Sequence, residues 1–341
     1  MKYTPGAARC LAFLLVLLAA WSGGRFRAFG LVDANSRANT NAPTDGAPWA
    51  SMGHVSGGGG TYLGAGWVLT ANHLGADKTE FNGTIYPTNG FLVHLTNSTG
   101  TIADMVMYQL SSLPPLPKMP LPTATPPAAS PVDMIGFGFI AGSAQTNFTN
   151  SFGSFTGFYW STNQLKSWGN NRVNAGLMTV DDGAGTNVSF ATDFTAPGPL
   201  QTSHEAQVTF GDSGGGVFYK NGSTWEFVGM MFAFESVPDQ PDPTKVCVYG
   251  QATLSVDIAT YRTQILSIIS NTPPLFTISR TATNVLVCWG DTGVSYKLLS
   301  NTNIATTNWS VINPPLIATN SQFCAQLSAT NPATFFRLQK Q

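Results

Sequence analysis

The sequence predicts an all-β protein with one α-helix near residue 270 and a small β-sandwich after it. Of its 341 residues, 35 are glycine and 22 are proline, and only 10% are charged, which is typical of short strands joined by many turns. Apolar, β-prone segments recur between these turn residues. One segment, 254–270, instead has apolar residues at helical spacing and predicts an amphipathic helix. Its apolar positions are Ile258, Tyr261, Ile265, Ile268 and Ile269.

The chain divides into a main domain, 31–270, and an accessory domain, 275–341. Residues 31–47 are polar and predict an N-terminal arm before the β-rich pattern begins. Segment 113–131 holds eight prolines and predicts an extended connector between two β-rich halves. After a short linker, about five short alternating segments predict the separate sandwich.

Residues 1–30 are typical of an export signal. Lys2 and Arg9 supply positive charge, and the apolar run 11–21 is too short to cross a membrane as a helix. Cleavage is expected after Gly30, with Ala19-Ala20 as a rival site and an uncleaved anchor as the alternative. The mature protein is therefore predicted to be secreted, either extracellular or periplasmic, with no membrane association.

Charge and cysteine content exclude several function classes. The net charge of −1 offers no basic surface for nucleic acid, and no metal, phosphate or nucleotide motif is found, so we expect no cofactor and no metal. Cys10 lies in the export signal. Cys288 and Cys324 are expected to form a disulfide in an oxidising compartment, which leaves Cys247 buried or as a free thiol.

The strongest chemical signal is the stretch 208–217, VTFGDSGGGV. The hydroxyl of Ser213 is a poor nucleophile unless a base takes its proton. The surrounding glycines let the backbone turn sharply and direct N–H groups at a developing oxyanion. We therefore predict Ser213 as a nucleophile, with the N–H groups of Gly211 and Ser213 as the oxyanion hole.

A base and an acid for this serine are found upstream. His73 follows the end of an apolar strand and is the predicted base, with His204 as the weaker alternative. Asp104 opens another apolar strand and is the predicted acid, with Asp133 as its substitute. These residue types are the ones a serine hydrolase requires.

The order of these residues decides between two hydrolase types. GDSGG also fits the nucleophile elbow of α/β-hydrolases, in which the histidine follows the serine. No histidine lies after His204, so that fold lacks its base. The order His73, Asp104, Ser213 is that of the chymotrypsin type.

Several segments resemble motifs of trypsin/chymotrypsin-like serine proteases. GAGWVLTANHLG resembles their histidine motif, ADMVMYQL their aspartate strand, VDMIGFG the first strand of their second barrel, and GDSGGGVF their serine motif. The resemblance covers about 43–270. It implies two six-stranded antiparallel barrels with the site between them, and a serine endopeptidase that cleaves protein or peptide substrates through an acyl-enzyme.

Departures from the family pattern point to a disulfide-poor bacterial branch. No cysteine flanks His73, Thr209 stands where a disulfide cysteine is common, and Gly216 replaces a proline. The usual Ile-Val-Gly-Gly start is absent, and the segment at Arg37 occupies about that place. Whether Asp212 receives a new N-terminal amine, as the family implies, is left open.

The sequence also carries predictions about specificity and about the role of the accessory domain. Gln207 stands at the position that often sets primary specificity, and Phe232 and Phe234 fall on the expected pocket edge, so the pocket is predicted to favour small or medium apolar side chains over Lys or Arg. The accessory domain resembles fibronectin-like modules of secreted bacterial proteins and is expected to bind a surface or the substrate. Two rival functions are a catalytically inactive homologue that acts as a binding or adhesion protein, and an esterase on the same fold.

Overall fold

The computed structural model describes residues 29–35, 39–329 and 333–341. The described residues form mostly antiparallel strands, with one α-helix among them, so the predicted all-β, two-barrel class is confirmed. Most of the predicted export signal lies outside the described residues. Its last two residues fall in the first strand, so the expected cleavage point after Gly30 lies within that strand.

The strands of the main domain fall into two large sheets and two small ones. The strands up to the connector are β1 (Phe29–Asp33), β2 (Met52–Val55), β3 (Gly58–Gly64), β4 (Trp67–Thr70), β5 (Thr79–Phe81), β6 (Thr84–Tyr86), β7 (Thr88–Thr96) and β8 (Ile102–Leu110). Those after it are β9 (Pro131–Gly136), β10 (Phe139–Asn150), β11 (Gly153–Gln164), β12 (Ser167–Arg172), β13 (Met178–Asp181), β14 (Thr186–Asp193), β15 (Ala206–Gly211), β16 (Gly216–Asn221), β17 (Thr224–Glu235), β18 (Val246–Val248) and β19 (Ala252–Asp257).

The two large sheets correspond to the two barrels. The first has the strand order β6-β5-β2-β3-β4-β8-β7, and the second has the order β12-β9-β16-β17-β19-β14-β13. Each therefore has seven strands, where the family resemblance implies six. Strand β1 pairs with β15, and the long hairpin β10–β11 pairs with β18. The proline-rich connector runs between the two large sheets, and only its last residue, Pro131, belongs to a strand, β9.

One apolar core joins the two barrels. It includes Trp67 and Met105 from the first barrel, and Phe218 and Met230 from the second, all fully buried. Because this core is continuous, residues placed on facing edges of the two barrels are held at fixed separation.

The helix α1 (Ile258–Asn271) begins later than its apolar pattern alone suggests. Leu254 and Val256 belong to β19, which pairs with β14 and β17. Asp257 then caps the helix by accepting hydrogen bonds from the backbone and hydroxyl of Thr260, at 3.0 and 2.7 Å. The predicted helix is present, but its first four residues are strand. Its buried face consists of Ile258, Tyr261, Ile265 and Ile269.

The C-terminal unit is formed by two small packed sheets. Its strands are β20 (Phe276–Arg280), β21 (Asn284–Gly290), β22 (Tyr296–Asn301), β23 (Ser310–Ile312), β24 (Leu316–Thr319), β25 (Gln322–Ser328) and β26 (Phe335–Lys340). Cys288 and Cys324 lie opposite each other on β21 and β25 and form a disulfide. Tyr62 of the first barrel contacts this unit through a 2.8 Å hydrogen bond with Ser321.

Candidate active site

His73 and Asp104 are brought together by two neighbouring strands. Strand β4 pairs with β8, with Thr70 opposite Val106, so the turn after β4 lies beside the start of β8. The Nδ1 atom of His73 is 2.6 Å from Oδ2 of Asp104, and the His73 backbone N–H donates to Oδ1 at 2.9 Å. Asp104 is fully buried, whereas the His73 side chain is 17% exposed. The carboxylate therefore fixes both the ring and its turn, which orients Nε2 away from the acid.

Ser213 lies in the loop between β15 and β16, at the edge of the second barrel. Gly211 and Gly214 have φ values of 92° and 75°, a conformation that L side chains rarely adopt, so glycine is required there. The Ser213 carbonyl accepts a 2.8 Å hydrogen bond from Gly59 of the first barrel. Within the described chain, the buried Ser213 hydroxyl makes no hydrogen bond.

The first barrel ties the serine loop to the strand that carries the histidine. Thr70, three residues before His73, donates its hydroxyl to the carbonyl of Gly59 at 2.6 Å. A Cβ added at Gly59 would lie 2.9 Å from the backbone nitrogen of Gly215, so the two barrels meet here without space for a side chain. The serine loop and the His73 turn are thus joined through a single residue.

Two backbone N–H groups of the serine loop make hydrogen bonds within the loop and its neighbouring strand. The backbone N–H of Gly214 donates to Met231 O at 2.9 Å, and that of Gly215 donates to Asp212 O at 2.7 Å. These two amides are engaged in holding the loop, and the N–H groups of Gly211 and Ser213 remain the predicted oxyanion donors. Asp212 is fully buried and its carboxylate accepts from Thr209 N at 3.0 Å.

The segment before the barrels contacts the strand that leads to the serine. Strand β1 pairs with β15, with Leu31 opposite Val208 and Val32 opposite Gln207. Leu31 and Val32 are buried by this pairing. Arg37, in the segment that occupies the place of the family's usual start, lies outside the described residues.

The predicted pocket residues occupy different surroundings. Gln207 is fully buried, accepts from the Thr253 hydroxyl at 3.2 Å and donates to Ala252 O at 3.4 Å. Phe232 is buried in the shared core. Phe234 is half-buried, with its ring centroid 6.4 Å from that of Trp160 and 6.0 Å from that of Phe210. This aromatic set comes from three strands far apart in sequence.

The alternative base and acid lie in other settings. His204 contacts the N-terminal arm, with Nδ1 at 3.0 Å from Asn39 Nδ2 and 3.4 Å from Asp33 Oδ2. Asp133 bonds to Asn170, and burial together with the nearby Asp45 carboxylate raises its pKa to about 8. These contacts assign both residues to the second barrel and the arm rather than to the Ser213 loop.

A third carboxyl, which the sequence did not reveal, lies beside Asp104. Asp182, in the turn between β13 and β14, places its carboxyl so that donor atoms of His73, Asp104 and Asp182 all lie within 4.8 Å of one another. These three side chains are candidate cation ligands only if His73 Nδ1 gives up its bond to Asp104. No sequence signal links Asp182 to Asp104, because the fold alone brings the two segments together.

The turn that carries Asp182 packs closely on the start of β8. Asn187 Oδ1 accepts a 2.8 Å hydrogen bond from the Asp104 backbone, and Asn72 Nδ2 donates to Ala184 O at 3.3 Å. A Cβ added at Gly185 would collide with the backbone of Ala103 and Asp104. The second barrel therefore supports the acid through a tight backbone contact.

Gly185→Ala is expected to displace this turn and to lower the free energy of unfolding by about 1–3 kcal/mol, as overpacking does. Displacement should also reduce hydrolytic activity, since Asp104 loses its support. Thermal unfolding and steady-state kinetics measure the two effects. Gly198→Ala is the matched control, because its Cβ would meet nothing closer than 3.9 Å. If Gly185→Ala and Gly198→Ala were equally stable, the close contact between Gly185 and the backbone of β8 would be contradicted.

The described chain has the two-barrel, chymotrypsin-like fold. No protein-family model matches the sequence, and no curated protein matches it. Several solved structures are similar to this chain. The NS6 protease of murine norovirus 1 is similar over 64% of this chain and 94% of its own length, at 17% identity and a TM-score of 0.37.

Two further solved structures are similar to this chain. Kallikrein-related peptidase 10 covers 68% of it with all of its own length, at 13% identity and a TM-score of 0.43. An inactive serine-to-alanine mutant of Rv3671c from M. tuberculosis covers 71% of this chain and 98% of its own, at 15% identity and a TM-score of 0.42. Among the described residues, no helix is both long enough and apolar enough to cross a bilayer.

Proposed function

We propose that the protein is a secreted serine endopeptidase with His73, Asp104 and Ser213 as its catalytic residues. The observation that carries this proposal is the 2.6 Å contact between His73 and the buried Asp104, in a turn that Gly59 links to the Ser213 loop. A buried acid that holds the ring through Nδ1, and so directs Nε2 away from itself, is what a general base for a serine hydroxyl needs.

In the proposed reaction the Ser213 Oγ attacks the scissile carbonyl and His73 Nε2 takes its proton. Asp104 keeps the other ring proton on Nδ1 and stabilises the imidazolium that forms. The N–H groups of Gly211 and Ser213 donate to the oxyanion. His73 then returns the proton to the leaving amine, and water hydrolyses the acyl-enzyme by the same route.

Labelling with a fluorophosphonate probe tests the proposal. The purified mature protein is expected to form one adduct, on the peptide that contains Ser213, and to cleave casein. Absence of labelling would favour an inactive homologue that acts as a binding or adhesion protein. Labelling with hydrolysis of an ester but not of casein would favour an esterase on the same fold.

The proposal also covers the removal of the N-terminal export signal and the role of the C-terminal unit. Export with removal of residues 1–30, and membership of a disulfide-poor bacterial branch, fit a protein with one disulfide in its described part. The C-terminal unit is proposed to bind a surface or the substrate. N-terminal sequencing of secreted protein would contradict the cleavage site if Leu31 were not the first residue.

The proposed pocket predicts little cleavage after Lys or Arg. Gln207 is neutral and its amide is already bonded to β19, so it supplies no charge for a basic side chain. Phe234, held by Trp160 and Phe210, is proposed to narrow the pocket for small or medium apolar side chains, with Phe232 behind it. Profiling with a peptide library measures this preference. Dominant cleavage after Lys or Arg would contradict it.

A further inference from the structure

The surroundings of Asp182 favour a neutral, protonated carboxyl over a charged carboxylate. Its Oδ1 accepts 2.9 Å hydrogen bonds from the backbone of Ala184 and Gly185, which fixes the carboxyl in the turn. The same carboxyl lies beside that of Asp104, which already accepts two hydrogen bonds from His73. Two neighbouring carboxylates repel each other, so a shared proton is the stable arrangement.

We propose that Asp182 is a positioning residue: its protonated carboxyl donates a hydrogen bond to Asp104 and holds that acid in place against His73. The inference rests on the proposed peptidase function, and Asp182 itself touches neither substrate nor reacting atoms. It acts through Asp104, from the opposite barrel. Two neutral side chains, Asn72 and Asn187, support the same turn and carry no charge that would compensate a second carboxylate.

Electrostatics agree with this arrangement. Burial, the Asp104 charge and the hydrogen bond with Asp104 together raise the pKa of Asp182 to about 7. Within the described chain, the titratable groups that face Asp182 are Asp104 and His73, while its neighbour Asp181 turns its carboxylate to the backbone of Gly183. The carboxyl of Asp182 is therefore a neutral donor below about pH 7 and a second negative charge above it.

The sign of the effect on catalysis follows. Above pH 7 the charge on Asp182 favours the protonated, inactive form of His73, because opposite charges attract across less than 5 Å. The acid limb of the pH–rate profile thus lies at higher pH than Asp104 alone would place it. Because Asp182 and His73 interact, their protons titrate together, and the acid limb of the pH–rate profile reports both residues rather than His73 alone.

Three substitutions separate this role from a merely structural one. Asp182→Asn keeps a donor to Asp104 and cannot become charged, so the acid limb of kcat/KM is expected to move down by roughly half a pH unit or more. Asp182→Ala removes the donor, and kcat is expected to fall about tenfold or more with little change in KM. Asp181→Asn, at the adjoining end of β13, is the matched control and should leave both rate and profile unchanged.

A readout independent of activity completes the test. The His73 imidazole is followed by NMR, since the chain has only four histidines and the His73→Asn variant assigns the signal. Its titration midpoint is expected to fall in Asp182→Asn by the same shift as the rate profile. If the wild type neither labels nor cleaves casein but this midpoint still moves, the coupling stands and the proposed function fails.

Three outcomes would overturn the inference. Wild-type rates and profiles in both Asp182 variants would show that the carboxyl does not act on Asp104. A lower melting temperature and rate in Asp182→Ala, with unchanged pH dependence in both variants, would reduce its role to structure. Tight Zn²⁺ binding by the wild type that Asp182→Asn abolishes would assign the three side chains to a cation.

Discussion

Ser213→Ala is expected to lower kcat by about a millionfold and to abolish fluorophosphonate labelling, because the triad acts as one unit and its nucleophile has no substitute. Ser213 is fully buried and its hydroxyl makes no hydrogen bond within the described chain. A buried, unpartnered hydroxyl costs stability, so its removal should leave the melting temperature unchanged or raise it. Loss of activity without loss of stability is the expected signature.

Ser189→Ala is the matched control for this experiment. Ser189 is also fully buried, its hydroxyl also lacks a hydrogen bond within the described residues, and it lies on β14 opposite Met178 and Val256. Its activity and labelling should equal those of the wild type. Residual labelling of Ser213→Ala at another serine would show that the nucleophile has been assigned wrongly.

Motif order carried most of the information about the site in the sequence. The sequence predicts His73 and Asp104 because each lies at the edge of an apolar strand and precedes Ser213 in the chymotrypsin order. Strand pairing brings the two residues together: β4 and β8 are adjacent, so His73 and Asp104 meet at the ends of these strands. These local patterns are readable because β4 is fully buried and β8 is buried from its second residue onward.

Local sequence patterns do not predict contacts between segments that are distant along the chain. Asp182 lies in a turn whose sequence, DDGAG, indicates only a hairpin. Its position beside Asp104 depends on how the second barrel docks on the first. The start of α1 was missed for a different reason: residues 254–257 fit both a helix and a strand, and the pairing of β19 with two neighbours decides for the strand.

Asp104→Asn is expected to lower kcat by about 10⁴-fold, as loss of the correct histidine tautomer does in this type of site. The two carboxylate oxygens accept from the His73 backbone N–H and from Nδ1–H. An asparagine offers one acceptor and one donor. If its oxygen keeps the backbone contact, its NH₂ faces Nδ1, which must then become an acceptor. The ring proton moves to Nε2, the atom that has to take the proton of Ser213.

Asp133→Asn provides the control, because Asp133 is the other buried acid that sequence reasoning considered. Burial and Asp45 raise its pKa to about 8, well above the unfolded value of 3.8, so it is largely protonated at pH 7 and an amide replaces it closely. The raised pKa means that its contribution to stability is complete below pH 3.8 and is lost as the pH rises through 8. Above pH 8, Asp133→Asn should therefore unfold at a higher temperature than the wild type, with unchanged kcat. A large loss of kcat in Asp133→Asn and none in Asp104→Asn would exchange the roles of the two acids.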